Sequence, residues 1–319
     1  MRKKIKVITD KEQLNQWRTT FTSEVSIDQF EILTCYQYSR NSMLAMVKDW
    51  NLFNSFCQRK HVRSLPASVT AVRLFIENES RERKFATLKR YSVTISLVHR
   101  LLTESDPVAN SKIRILLAQY RLDKQGDAKQ AKEFSLEHLQ ALDKTLMKSP
   151  NLKSIRDLAI CYVMFECALK RSELKQLKVR HVHVRADDLS IEIADHTYRL
   201  SERASFILNK WLSYKGGLEE EVLFSAIDKH GNISSKKMDD SSIYRVLKGA
   251  SEALGLSTHF SGQSTRVGAA QHLSNSGANV KQIQEFGRWL SPAMPYQYIG
   301  YRQKAEDEQQ IFTTIRPWE

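Results

Sequence analysis

Apolar residues recur at the spacing of amphipathic helices along most of the chain, and a polar stretch divides them into two blocks. The first block predicts four helices, at residues 36–57, 69–75, 85–102 and 111–122. Ser68 stands where the N-cap of the second of these helices is expected. We therefore expect a polar N-terminal arm at residues 1–28 and a compact all-helical domain at residues 29–123.

The polar residues 124–133 (KQGDAKQAKE) contain a glycine and show no periodicity, so they predict an interdomain linker. The second block, residues 134–319, opens on a helix that Ser135 would cap. Its next helix, residues 155–169, is apolar on most faces. A helix of this kind is expected at the buried centre of a domain.

The apolar positions between residues 181 and 200 shift toward a period of two. This pattern predicts a small antiparallel sheet with turns near residues 186–188 and 194–196. Helices are predicted again at 202–214 and 241–254, with a basic surface loop around residues 229–237 between them. The predicted fold class is therefore mainly α, with a helical first domain and a mixed, mostly helical second domain.

The composition indicates a folded protein, and the net charge indicates the kind of molecule that it binds. The 319 residues are 41% apolar and 27% charged, as expected for a folded globular protein, and the net charge is +13. A charge of this size exceeds what solubility requires and favours nucleic acid as the partner. The N-terminus has a basic start without an apolar core, so we expect neither a signal peptide nor a membrane span.

The four cysteines predict no metal site. Cys35, Cys57, Cys161 and Cys167 lack the spacing of metal ligands, and the last two lie in an apolar helix. They are typical of reduced core residues in a cytosolic protein. We therefore expect no metal site at these cysteines.

A basic helix face in the first block is the predicted DNA-binding surface. The helix at 85–102 and the residues before it carry Arg81, Arg83, Lys84, Lys89, Arg90 and Arg100. Any one of these residues is explained equally well by a solvated helix face. As a set they favour contact with DNA phosphates, and we take Arg83, Lys84, Lys89 and Arg90 as the candidates. In the second block, Arg171 and Arg199 are the candidates for DNA contact.

The stretch from Ser261 to Tyr301 carries candidate chemistry. It reads SGQSTRVGAAQHLSNSGANVKQIQEFGRWLSPAMPYQYIGY, with a helical run that Gly277 ends and a second short helix before two prolines. It combines an arginine, an indole and three phenols in a strongly basic protein. This combination suits phosphate chemistry.

Four segments together resemble the tyrosine recombinases of the phage-integrase family, and most of all their Cre-like branch. The segments are SRNSMLAMVKDWNLFNSFC, LPASVTAVRLFI, ALKRSEL and SGQSTRVGAAQ…GRWLSPAMPYQY. The resemblance implies a SAM-like core-binding domain followed by a tyrosine-recombinase catalytic domain. It also implies a site-specific recombinase or integrase that cleaves and rejoins DNA through a 3′-phosphotyrosine, without metal or cofactor.

The resemblance further implies partners and a location. The partner would be double-stranded DNA with paired inverted half-sites, bound by a dimer at each site and a tetramer in synapsis. The protein would be prokaryotic, cytoplasmic and associated with the nucleoid. The tail at residues 304–319 would dock on a neighbouring subunit through an apolar set that comprises Ile311, Phe312, Ile315 and Trp318.

Site residues follow from the same resemblance. Tyr298 matches the nucleophile, although Tyr296 and Tyr301 are rivals on local context. The other matching positions are Arg266 for the second arginine, Trp289 for the histidine or tryptophan that donates to phosphate, and Glu173 for the acidic residue that supports the first arginine.

Three positions depart from the family pattern. Lys170 stands in the place of the first arginine, and Arg171 beside it could replace that arginine only in an irregular chain, because helix neighbours point about 100° apart. Gln263 replaces a histidine and cannot shuttle protons near neutral pH. The hairpin that carries a general-acid lysine in the family has none here, and only His196 and Arg199 are basic nearby.

These departures leave two hypotheses open. The first is an active strand-exchange enzyme, favoured by the retained tyrosine, arginine, tryptophan and glutamate. The second is a catalytically impaired relative that binds DNA sites and assembles on them, favoured by the loss of proton-handling groups. We prefer the enzyme, because general acid–base catalysis contributes about 10²–10⁴-fold and its loss leaves activity measurable. An RNA-processing factor has only the basic charge in its favour.

Overall fold

The computed structural model describes residues 5, 8–127, 130–148, 150–185 and 188–314. The chain divides into two compact units, with the boundary between residues 129 and 130. The predicted domain boundaries at 1–28, 29–123, 124–133 and 134–319 stay a prediction. Within the described ranges, no helix is long and apolar enough to cross a membrane.

The first unit is helical. Its helices are α1 (Lys11–Phe21), α2 (Ile27–Leu33), α3 (Arg40–Arg59), α4 (Val69–Ser80), α5 (Phe85–Leu102) and α6 (Ser111–Asp123), with a 3₁₀ turn at Pro107–Ala109. Serine hydroxyls cap the starts of several of them, including Ser68 at α4, where it accepts from the Ala71 amide over 3.1 Å.

The core of this unit includes part of the predicted arm. Phe21, at the end of α1, is fully buried, and its carbonyl accepts the Trp50 indole N–H over 3.0 Å. Asn54 donates to the same carbonyl. Trp50 in turn packs against Phe53 in the middle of α3. Apolar contact and satisfied polar groups therefore attach α1 to the helices that follow.

The second unit combines helices with two small sheets. Its helices are α7 (Leu136–Leu146), α8 (Leu152–Glu166), α9 (Arg171–Leu174), α10 (Glu202–Lys215), α11 (Asp240–Ala253), α12 (Ser264–Asn275), α13 (Val280–Phe286), α14 (Ala293–Tyr298) and α15 (Arg302–Thr314). Its strands are β1 (Val182–Arg185), β2 (Asp188–Ile193), β3 (His196–Arg199), β4 (Ser225–Ile227) and β5 (Ile233–Lys237), and a 3₁₀ turn lies at Val179–His181.

Helix α8 is the buried centre of this unit, as its all-round apolar pattern predicts. Every residue from Ser154 to Phe165 is buried. The helix begins and ends three residues earlier than predicted, at Leu152 and Glu166, because Ala168 has a φ of 45° and turns the chain out of the helix. The backbone of this turn, at Cys167 and Ala168, faces the site described below.

The predicted antiparallel sheet is present, with strand order β1-β2-β3. Ile193 pairs with His196 across a tight turn at Ala194, whose φ is 53°, while Ile191 pairs with Tyr198. The expectation of a basic loop around residues 229–237 was wrong in part, since β4 and β5 form a second antiparallel pair there. The mainly α fold class with a small sheet is confirmed.

Candidate active site

Tyr298 is the last residue of α14, and its side chain is enclosed. The residue is 3% exposed, and its hydroxyl accepts a hydrogen bond from Nε2 of Gln263 over 2.6 Å. Gln271 donates to the backbone carbonyl of Tyr298 over 3.0 Å and ties α14 to α12. Burial raises the pKa of the phenol, whereas the Gln263 hydrogen bond and the Arg266 charge act to lower it.

Arg266 lies in the first turn of α12 with only 5% of its surface exposed. Its guanidinium donates to the Ala168 carbonyl, and over 2.8 Å to the Gly287 carbonyl. In the described part of the chain, Arg266 thus donates to backbone oxygens and not to a carboxylate. Burial lowers the pKa of Arg266 to about 10, so the group still carries its charge at neutral pH.

Trp289 joins these two side chains. Its ring lies 4.3 Å from the guanidinium carbon of Arg266, a cation–π contact, and its centroid is 5.7 Å from that of Tyr298. The close approach requires a glycine at position 287, because a Cβ there would overlap the indole. The structure therefore brings together four of the residues predicted from the sequence, Tyr298, Arg266, Trp289 and Gln263.

Glu173 lies beside this group on α9. Its carboxylate accepts the Lys170 backbone N–H over 2.8 Å and the Lys170 ammonium over 3.1 Å. It also accepts from Arg288, over 2.8 and 3.2 Å. Burial opposes ionisation, but the hydrogen bonds from Arg288 and Lys170 outweigh it and hold the pKa of Glu173 at about 2.

The backbone is irregular where the first arginine of the family pattern is expected. Helix α9 begins at Arg171, and Lys170 before it is extended, with φ −80° and ψ 150°. The two side chains are thus not successive positions of one regular helix. The Arg171 side chain packs against Gly262, where a Cβ would lie 2.5 Å from Cγ of Arg171. Lys170 is therefore directed to Glu173, and Arg171 lies beside the residue before Gln263.

The hairpin residues His196 and Arg199 make local contacts. Arg199 is largely exposed and forms an ion pair with Asp188 on the neighbouring strand. His196 is exposed and stacks on Tyr198, with ring centroids 6.2 Å apart. The described contacts therefore give neither residue a link to Tyr298.

The rival tyrosines have different surroundings from Tyr298. Tyr301 is 55% exposed, and its ring contacts that of Tyr296 with centroids 6.3 Å apart. The ammonium of Lys304 lies over both rings. Within the described part of the chain, the ring contacts of these two tyrosines are with each other and with Lys304, and not with Arg266 or Trp289.

The predicted DNA-binding residues of the first unit fall into two kinds. Arg90 forms two hydrogen bonds, 2.8 and 2.9 Å long, with the buried carboxylate of Asp49, and Arg83 pairs with Glu79 over 3.4 Å. Lys84, at the start of α5, and Lys89 are exposed. Among the residues that the structure describes, no cluster of His, Cys, Asp and Glu could hold a metal ion.

Sequence reasoning missed Arg288. It is the partner of Glu173 and the residue directly before Trp289, yet no periodicity or motif in the sequence marks it. Its ion pair joins positions 115 residues apart along the chain. Only the folded structure shows that its side chain enters the site.

Comparisons with known proteins identify the family of the second unit. Residues 135–304 match the model described as the phage integrase family. The recombinase Cre of Escherichia phage P1 is 21% identical over 289 residues, which cover 82% of this chain and 84% of Cre. An integrase/recombinase XerD homolog of Selenomonas ruminantium is 25% identical over 281 residues, 81% of each chain.

Solved structures show the same fold. The XerH site-specific recombinase bound to a palindromic difH substrate aligns with a TM-score of 0.65 at 13% identity, covering 96% of this chain and 90% of that one. A lambda integrase dimer bound to a COC′ core site aligns with a TM-score of 0.60 at 14% identity, covering 98% and 84%.

Proposed function

This chain belongs to the phage integrase family, and we propose that it is a site-specific DNA recombinase that acts through a covalent 3′-phosphotyrosine at Tyr298. One observation carries the proposal. The Tyr298 hydroxyl accepts a hydrogen bond from Gln263, while the Trp289 ring contacts both the Tyr298 ring and the buried cation of Arg266. A nucleophile and a cation for phosphate oxygens therefore share one small region.

The reaction has two steps. The Tyr298 phenol gives up its proton and its oxygen attacks the phosphorus of the scissile phosphodiester. The bond to the 5′-oxygen breaks, and that oxygen takes up a proton. In the second step the free 5′-hydroxyl of another strand attacks the phosphotyrosine, loses its proton and releases the tyrosine. The number of phosphoester bonds is unchanged, so the exchange requires no external energy.

Charge stabilisation falls to the cationic side chains. Arg266 offers a planar guanidinium, the form of cation that holds two phosphate oxygens. Lys170, fixed by Glu173, adds a second positive charge, and the Trp289 indole N–H is a further donor. Gln263 donates to the phenolic oxygen and so stabilises the phenolate, but it cannot take up the proton.

The DNA partner and the assembly extend this proposal. We propose that the protein binds double-stranded DNA at paired inverted half-sites, as a dimer at each site and a tetramer in synapsis, on the nucleoid. The tail at 304–319 would join neighbouring protomers. Ile311 and Phe312 lie in α15, whereas Ile315 and Trp318 lie outside the described residues.

The domain roles are part of the proposal. The first unit would be the core-binding domain and the second the catalytic domain, joined by the linker at 124–133. Limited proteolysis of the free protein should cut first in that linker. Primary cutting within residues 155–169 would reject this division.

A nicked suicide substrate tests the function. When the scissile strand carries a nick close to the cleavage site, the short released fragment diffuses away and the phosphotyrosine accumulates. We expect a protein–DNA adduct that persists in detergent. Site-specific binding without an adduct at any pH would overturn the proposal and support a binding and assembly factor instead.

A further inference from the structure

Arg288 adopts an unusual conformation for a residue with a long side chain. Its φ is 55°, in the left-handed region that favours glycine. Its side chain is 9% exposed, although arginine is rarely buried without partners. A strained, buried arginine directly before Trp289 requires contacts that hold it there.

Those contacts join four segments of the second unit. The guanidinium donates to Glu173 on α9, to the Cys167 and Ala168 carbonyls that follow α8, and to the Tyr198 hydroxyl on β3. It also donates to the Phe286 carbonyl at the end of α13, over 3.2 Å. Its charge also lies over the Tyr198 ring, 5.0 Å from the centroid.

Two of these acceptors are shared with the proposed phosphate-binding cations. The Ala168 carbonyl accepts from both Arg288 and Arg266. Each carboxylate oxygen of Glu173 accepts one hydrogen bond from Lys170 and one from Arg288. Oε1 accepts from Lys170 Nζ and Arg288 Nε. Oε2 accepts from the Lys170 backbone N–H and a terminal nitrogen of Arg288. Arg288 therefore contacts the same groups that orient Lys170 and Arg266.

We propose that Arg288 is a positioning residue for strand cleavage, which neutralises Glu173 and thereby leaves the charges of Lys170 and Arg266 available to the scissile phosphate. The inference rests on the proposed function. Without Arg288, the carboxylate of Glu173 would have only the ammonium of Lys170 as a close cationic partner. That pairing would draw positive charge away from the phosphate, because a half-buried carboxylate attracts a cation strongly.

The pKa of Glu173 supports this reading. The charged and titratable groups that face it are Lys170 before α9, Arg288, Arg266 on α12 and Tyr198 on β3. Burial alone would raise the pKa of Glu173, and the hydrogen bond from Arg288 is the largest of the effects that lower it. Removal of Arg288 should therefore raise this pKa, so that Glu173 takes up a proton at a higher pH than in the wild type.

Single-turnover cleavage of the nicked site, measured from pH 5 to pH 9, tests the proposal with three variants. Arg288→Met removes the ion pair, and the double variant Arg288→Met/Glu173→Gln also removes the carboxylate. Arg288→Lys keeps the charge. Arg203→Met is the matched control, since Arg203 pairs with the buried Asp143 through two 2.7 Å hydrogen bonds elsewhere in the same unit.

We expect Arg288→Met to slow cleavage about 10²-fold at neutral pH, with site affinity within about twofold of the wild type. The ratio of variant to wild-type rate should rise as the pH falls and Glu173 takes up a proton. The double variant should be faster than Arg288→Met at neutral pH, with a ratio that does not change with pH. The cleavage rate of Arg288→Lys should remain within about tenfold of the wild-type rate. For Arg203→Met, the ratio of variant to wild-type rate should not change with pH.

Two results would overturn the proposal. One is a ratio of Arg288→Met to wild-type cleavage rate that does not change with pH, together with a double variant that cleaves no faster than Arg288→Met. The other is a folded Arg288→Lys that is slowed by much more than tenfold and loses site affinity in parallel. This second result decides the matter if Arg288→Met fails to fold. An adduct in the wild type combined with either result rejects only the role of Arg288, whereas no adduct in the wild type rejects the proposed function itself.

Discussion

The side-chain amide of Gln263 donates a 2.6 Å hydrogen bond to the phenolic oxygen of Tyr298, which lies 35 residues further along the chain. Gln263 occupies the position where the family pattern has histidine. An amide cannot move a proton at neutral pH, but as a donor it stabilises the phenolate over the phenol. Gln263 thus keeps the hydrogen-bond donor that a histidine would provide, but not its proton transfer.

Gln263→Ala should therefore shift the cleavage profile to higher pH. The Gln263 hydrogen bond lowers the pKa of Tyr298 against the effect of burial, so its loss raises the pKa further. The nucleophile is the deprotonated phenol, and the rate rises with pH until that pKa is passed. Single-turnover rates across pH 6–10 check this, with Gln271→Ala as a control that alters only a bond to the Tyr298 backbone. An unchanged profile for Gln263→Ala would show that the amide does not act on the phenol.

Lys170→Ala should cost more than Arg171→Ala. Lys170 is held by Glu173 within the charged network around Arg266, and the loss of one donor to a developing phosphate charge costs about 10²–10³ in rate. Lys170→Arg should preserve or raise the rate, because a guanidinium can form two hydrogen bonds to phosphate. Single-turnover cleavage of a nicked site compares the three variants. If Arg171→Ala were the inactive one, the guanidinium beside Gly262 would be the phosphate ligand.

The basic residues of α5 should have two different roles, some in contact with DNA and others in stabilising the first unit. Lys89→Ala should weaken DNA binding and reduce the slope of log affinity against log salt by about 0.9, the value of one phosphate contact. Arg90→Ala should instead destabilise the first unit by about 1–3 kcal/mol, because Asp49, only 2% exposed, loses its cationic partner. Salt-dependent binding and thermal unfolding distinguish them. An equal loss of stability in both variants would contradict this division.

The sequence predicted much of this molecule, for identifiable reasons. The all-round apolar pattern of α8 indicates burial directly, and the resemblance selected Tyr298, Arg266 and Trp289, which the structure places in contact. Arg288 could not be found in this way, because a single arginine in a basic chain is ordinarily a surface residue and its partner is far away in sequence. Strands β4 and β5 were missed because they are short, and the lysines of β5 are exposed.

The tail should connect protomers. Deletion of residues 311–319 should leave binding to a single half-site intact and abolish complexes on paired sites. The deletion removes the apolar Ile311 and Phe312, through which the tail would dock on a neighbouring protomer. The shortened chain keeps Ala305, the buried residue through which α15 begins to pack. Gel-shift titrations on one and two half-sites measure both properties. Unfolding of the shortened protein would place the tail in the core of its own subunit.

The most direct test of the account identifies the tyrosine that becomes joined to DNA. The wild type, Tyr298→Phe, Tyr296→Phe and Tyr301→Phe are incubated with the nicked site, and fragmentation of the DNA-linked peptide locates the nucleotide by mass spectrometry. We expect the adduct on Tyr298, its loss in Tyr298→Phe alone, and its retention in the other two variants. An adduct formed by Tyr298→Phe at the wild-type rate, or a nucleotide on Tyr296 or Tyr301, would contradict the account.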